Sequence, residues 1–161
     1  MNSENWLYLI ISLVVFNYIF STVLNFINNK YWKDEIPPIM QDYYKKDNYI
    51  KAKKYAKEKG QINLISSTLS TLITLLFLVF KGYGFLNILI SNYYETPFLQ
   101  SSMFFLSLFV LSDLISIPFS CYNTFVIEEK YGFNKMTVKT FIFDKIKSYL
   151  ITIILGGALL Y

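Results

Sequence analysis

Residues 6–27, WLYLIISLVVFNYIFSTVLNFI, decide the fold. These 22 residues carry no charge. Coiled as an α-helix they extend about 33 Å, enough to cross a hydrocarbon core about 30 Å thick. A cleaved secretory signal is the competing reading. Against it, the residues ahead of the run include Glu4 and no lysine, the run is too long, and no small-residue cleavage site follows. Residues 6–27 therefore read as an uncleaved span.

The rest of the chain repeats the pattern. Residues 62–80 are nineteen uncharged residues between Lys59 and Lys81, and residues 98–119 hold a single charge, Asp113. A fourth apolar run, 148–161, has 14 residues, about 21 Å of helix, which is short for a full crossing. The expected fold class is all-α: a polytopic integral membrane helical bundle with three complete transmembrane helices plus a partial fourth. Composition agrees, because 54% of the 161 residues are hydrophobic and only 16% are charged, against about 25% in a soluble domain. The segment 85–94 is too short to span and is placed at an interface, where Tyr83, Tyr93 and Tyr94 suit an aromatic belt.

Lysine placement sets the expected topology. All fifteen basic residues are lysine; nine fall in 28–61, five in 121–147, and only Lys81 lies between the second and third spans. The positive-inside rule puts loops 28–61 and 121–147 in the cytoplasm and the N-terminus outside or in a lumen. Ordinary positive-inside bias is the simpler account of these loops than a dedicated anionic-lipid or nucleic-acid site. The absence of arginine and of a base-stacking pattern argues against nucleic acid. Within the first loop, Pro37-Pro38 is expected to break the chain, and 47–59, DNYIKAKKYAKEK, reads as a lysine-rich helix that could be interrupted at Gly60. The lone Cys121 allows no internal disulfide.

Asp113 is the ionisable residue placed well inside a span, where a charge costs roughly 2.5–3.5 kcal/mol and needs a partner, water or a proton. Ser116 and Ser120 follow it on one helical face. Two readings stay open: helix packing with Asp113 bonded to neighbouring Ser or Asn, or a wall of an aqueous chamber. Asn17, Ser21 and Asn25, and likewise Ser66, Ser70 and Thr74, recur every four residues. Close helix packing explains both stripes first, with polar cavity walls as the alternative. Pro118 is expected to end the third helix. Gly132 is placed to supply a positive φ, and Asn134 or Thr137 to cap a following helix. That helix carries Phe141, Lys145 and Ser148 on one stripe and an Asp144–Lys147 pair. Glu128 and Glu129, adjacent in sequence, diverge on a helix and make a poor acid–base pair; they read as solvated loop surface.

The segment 118–150, PFSCYNTFVIEEKYGFNKMTVKTFIFDKIKSYL, resembles the N-terminal membrane region of the type I CAAX prenyl endopeptidases. The carriers are Pro118, Phe119, Tyr122, Thr124, Phe125, Ile127, Glu128, Glu129, Lys130, Gly132, Phe133 and Asn134, followed by Thr137, Phe141, Asp144 and Lys147. A weaker likeness lies upstream at Pro37, Tyr49, Lys51, Lys54, Tyr55, Lys57 and Lys59. The resemblance implies an integral membrane zinc endopeptidase with helices around a large water-filled chamber. Its implied substrates are prenylated CAAX sequences or other membrane-associated peptides. The family's H-E-x-x-H helix and downstream Glu would hold zinc and activate water. This chain has no histidine, so no catalytic, cofactor-binding or metal residue is assigned in it, and zinc is implied for the complete family enzyme alone.

The expectation is thus the N-terminal membrane portion (1–161) of a zinc metalloendopeptidase, cut before its catalytic portion and inactive alone. Its partners would be membrane lipid and a region or chain carrying H-E-x-x-H. The alternative is a non-catalytic membrane module that docks onto a separate catalytic half or another partner. Two structural roles are expected: Glu128–Asn134 as a turn bracing the catalytic region, and Asp113, Ser116 and Ser120 as chamber wall.

Overall fold

Uninterrupted apolar blocks with few glycines favour long helices, because in lipid each backbone N–H and C=O must find its partner within the segment. The computed structural model describes residues 3–33, 35–37, 41, 43 and 45–161, and every regular element among them is helical. In chain order these are α1 (Ser3–Tyr31), α2 (Lys46–Val79), α3 (Gly82–Ser91) and α4 (Pro97–Tyr122). A π-helical turn (Asn123–Glu128), a single turn α5 (Glu129–Tyr131) and α6 (Val138–Leu160) follow. The all-α class expected from the sequence is the one observed.

Three helical stretches are long and apolar enough to cross a membrane: Glu4–Tyr31, Lys46–Val79 and Pro97–Tyr131. Their apolar side chains point outward. Phe16 is 65% exposed and Leu155 on α6 is 60% exposed, whereas Ile90, Ile127 and Tyr131 are the buried hydrophobic residues among those described. An aqueous protein would hide these side chains; here lipid is the solvent, and the protein is integral to a membrane.

Two expected breaks are bridged. The lysine-rich segment and the second apolar run form one helix, with Gly60 inside it. A single glycine costs a helix only about 1 kcal/mol relative to alanine, less than abandoning a 34-residue hydrogen-bond ladder. Pro118 likewise lies inside α4. It cannot donate to the Leu114 carbonyl, yet the helix continues and widens into the π turn five residues later. Pro38, half of the other expected break, lies outside the described residues. The fourth apolar run belongs to a helix that starts at Val138 and has 23 residues. Its start is set by Thr137, whose hydroxyl accepts the Thr140 N–H at 3.2 Å.

The chain divides into two compact units. The first comprises the stretch up to Leu75 with Phe119–Asn134. In it the Tyr18 and Thr68 hydroxyls hydrogen-bond at 2.8 Å between α1 and α2, and the Trp32 indole N–H donates to the Tyr49 hydroxyl at 2.9 Å. The second comprises Leu76–Pro118 with Lys135–Tyr161. Its α2–α3 turn places Gly82 against Phe77, where an added Cβ would sit 2.9 Å from the ring, so only glycine fits. Tyr83 then packs edge-on to Phe77 with centroids 5.4 Å apart. With ten residues, α3 is about 15 Å long, too short to cross.

Candidate functional site

In the first unit, the segment that stood out in sequence is fixed by an α-helical address. Tyr55, Glu58 and Lys59 recur at i, i+3 and i+4 and so share one face of α2. Lys59 Nζ pairs with Glu128 Oε1 at 3.0 Å, and Lys130 Nζ pairs with Glu58 Oε1 at 2.6 Å. Each element thus contributes one acid and one base, and the two bridges run in opposite senses. The phenols complete the set: Tyr131 donates to Glu58 Oε1 at 2.9 Å, and Lys59 donates to Tyr55 Oη at 2.9 Å. The Tyr55 ring meets Tyr131 and Phe133 edge-on, centroids 5.4 and 5.1 Å away.

Backbone geometry explains why the motif has this form. The π turn carries Tyr122's successors Asn123, Thr124 and Phe125 through to Glu128 and leaves Ile127 2% exposed. Gly132 then adopts φ 75°, as its position in sequence suggested, and reverses the chain. Its N–H donates to the Glu129 carbonyl at 3.0 Å, and the Phe133 N–H donates to the Glu128 carbonyl at 2.8 Å. This pair of bonds is a Schellman closure. The adjacent carboxylates do diverge: Glu128 faces α2, while Glu129 accepts from Asn134 Nδ2 at 2.9 Å. Their expected place on a loop is corrected, since both are helical. The bridge geometry holds the Glu58 carboxyl below the usual carboxylate range, first through the Lys130 hydrogen bond and then through Tyr131. Glu58 lies on α2 ahead of the apolar run.

In the second unit, Asp113 on α4 is bound by two donors from α6. Lys145 forms an ion pair with Oδ1, and the Tyr149 hydroxyl donates to Oδ2 at 2.5 Å. Tyr149 also packs edge-on to Phe109, centroids 5.5 Å apart. The expectation of Ser or Asn partners is corrected: Ser116 Oγ turns back to the Ser112 carbonyl at 2.9 Å, and Ser120 is a half-buried residue of α4. A lysine satisfies a carboxylate in low dielectric better than a neutral hydroxyl does. Asp144 and Lys147 pair at 3.6 Å.

The polar stripes of α1 and α2 meet. Asn17, Ser21 and Asn25 line one open groove of about 450 Å³ together with Ser70 and Thr74. Ser66 is not among the residues lining this groove, and the same two helices are also in direct contact through the Tyr18–Thr68 hydrogen bond at 2.8 Å. Sequence reasoning missed Glu58 altogether and named Tyr55 and Lys59 without their role. Their i, i+3, i+4 spacing puts the three on one face of α2, but nothing local in the sequence marks the distant Glu128–Lys130 segment as what that face meets. It also missed Lys145 and Tyr149 as partners of Asp113. The chain has no histidine, and among the described residues no group of three or more His, Cys, Asp or Glu is placed together where it could hold a metal ion.

Helices of this length, with apolar exteriors and charges paired between elements, define a polytopic α-helical membrane protein. Its family is more specific. A family model described as the CAAX prenyl protease N-terminal region, five membrane helices, matches residues 26–161, and the chain belongs to that family. It is 35% identical over 141 residues to "Probable CAAX prenyl protease 1" of Schizosaccharomyces pombe, covering 80% of this chain and 29% of that protein. A CAAX prenyl protease 1 homolog of Dictyostelium discoideum is 31% identical over 159 residues, covering 94% and 37%. The crystal structure of S. mikatae Ste24p is similar with a TM-score of 0.83 and 28% identity, over 97% of this chain and 38% of that one. The chain therefore spans about a third of the length of the curated relatives it matches.

Proposed function

We propose that residues 1–161 form the N-terminal membrane portion of a CAAX-type zinc metalloendopeptidase acting on prenylated or other membrane-associated peptides. Zinc and the chemistry of hydrolysis belong to a region or chain carrying H-E-x-x-H. The part of this chain is architectural. The stretch Tyr122–Asn134, including Thr124, Phe125, Glu128, Glu129, Lys130, Gly132 and Phe133, braces the mouth of the chamber. Asp113, with Ser116 and Ser120, contributes to the chamber wall.

The observation that supports this reading is the crossed pair of ion pairs, Lys59–Glu128 and Lys130–Glu58. It directs the motif's charges at a neighbouring helix, as a brace requires. The test uses a full-length protein that joins this region to an H-E-x-x-H catalytic region. Glu128→Lys should lower cleavage of a prenylated CAAX peptide by about fivefold, the factor for roughly 1 kcal/mol, and Lys59→Glu in the same protein should restore most of it. Full activity in Glu128→Lys would remove the bracing role. No cleavage by the unmutated joined protein would favour the docking-module alternative.

A further inference from the structure

The first unit also carries charge that the brace leaves unused. On α2 the face toward the motif bears Tyr55, Glu58 and Lys59. Lys46, Lys54 and Lys57 fall within about 80° of one another around the helix, on a face centred about 130° from the motif side. All three are exposed. The carboxylate that could have neutralised this face, Glu58, is turned to Lys130. Asp47, the nearest other one in register, sits about 10 Å farther along the helix from Lys54, on the side away from the apolar run.

Position along the helix decides what these lysines meet. Because α2 passes through Gly60 without a break, they keep a fixed height relative to the apolar run that starts at Ile62. Lys57 lies five residues before it and Lys54 eight, about 7.5 and 12 Å. The headgroup layer on each side of a bilayer is about 5–8 Å thick, and a lysine stem lets its ammonium reach toward it. Lys46, sixteen residues before Ile62, is about 24 Å away, beyond the roughly 8 Å screening length at physiological salt.

We propose that the outward face of α2 formed by Lys54 and Lys57 binds the headgroups of anionic phospholipids at the membrane surface. The interaction is a local one, selecting acidic over zwitterionic lipid next to this helix. It goes beyond an orientation bias, since it depends on which lysines remain and not only on their number.

The test reconstitutes the full chain in phosphatidylcholine bilayers holding a trace of either spin-labelled phosphatidylglycerol or spin-labelled phosphatidylcholine. The protein-restricted fraction of the spectrum is compared between the two labels. The expected preference for phosphatidylglycerol is about fivefold per lysine engaged, falling as sodium chloride rises. Lys54→Gln/Lys57→Gln should abolish it, and Lys54→Arg/Lys57→Arg, which keeps the charges, should retain it. The charge-matched control Lys135→Gln/Lys139→Gln should leave it largely intact. Equal loss in the control and the α2 variant would overturn the assignment, as would no preference in the unmutated chain. Inorganic phosphate should displace the lipid only as well as chloride does at equal ionic strength; displacement at much lower concentration would identify a free-phosphate site instead and also overturn it.

Discussion

Glu58 shows what single residues contribute to this family's marker segment. Its carboxylate accepts from both Lys130 and Tyr131, so the charged form is favoured and its pKa is lowered. For a group whose folded pKa is depressed, the stabilisation is fully present above the unfolded value, about 4.3 for a glutamate. It is lost as pH falls through the folded value. Thermal unfolding of the chain in detergent should therefore show a midpoint that drops on acidification below about pH 4, and Glu58→Gln should drop less over the same interval. Parallel pH curves for the two proteins would mean that the bridge contributes nothing to folding. Glu58 was not visible as a site residue in the sequence. It is one acidic residue in a lysine-rich run, and its partners lie 72 and 73 positions away, a separation no local pattern encodes. Gly132, by contrast, could be read directly, because a reversal after a charged helical turn calls for the left-handed backbone that glycine alone adopts cheaply.

At the level of elements, apolar length was readable and continuity was not. Runs such as 62–80 announce helices through composition alone, but the rules for glycine and proline describe local cost. Whether a helix stops is decided by what the rest of the segment gains by continuing. That is why α2 passes Gly60 and α4 passes Pro118. The α4–α6 contact gives this a measurable form. Asp113 has a side chain 14% exposed and Lys145 one 27% exposed, so removing one partner leaves a half-buried charge, a cost of about 2.5–3.5 kcal/mol at a helix centre. The two losses should differ. A stranded lysine can extend its stem toward an interface, while a stranded aspartate cannot, and keeps only Tyr149. Lys145→Met should therefore destabilise the chain more than Asp113→Asn, and Asp113→Leu/Lys145→Met should cost less than the sum of its single replacements. Denaturation in mixed micelles measures all of these; additive costs would show that the pair is not coupled.

For the whole molecule, the distribution of lysine predicts an orientation that can be measured. Nine lysines fall in 28–61 and five in 121–147, while the connection between the second and third apolar runs has only Lys81. The bias is large, and it survives the structural corrections. Lengthening α2 back to Lys46 and carrying α4 through to the π turn moves helix ends, but moves no lysine to the other side of an apolar run. Taking 6–27, 62–80 and 98–119 as the crossings, the positive-inside rule predicts Lys45 and Lys135 on one side and Glu95 on the other. In a Cys121→Ser background, single replacements Lys45→Cys, Lys135→Cys and Glu95→Cys place a thiol at three exposed positions. A membrane-impermeant maleimide added to intact cells should label Glu95→Cys at once if the far side is the cell exterior. It should label Lys45→Cys and Lys135→Cys only after permeabilisation. If the far side is a lumen, sealed organelle vesicles reverse the order, the lysine-loop thiols reacting first. Labelling of Lys45→Cys and Glu95→Cys from the same face would contradict the second crossing. Separation of Lys45→Cys from Lys135→Cys would contradict the pairing of the two basic loops. That pairing has a structural counterpart in the first unit, where Lys59–Glu128 and Lys130–Glu58 tie one basic loop to the other. Such bridges can form only if both loops emerge on the same side.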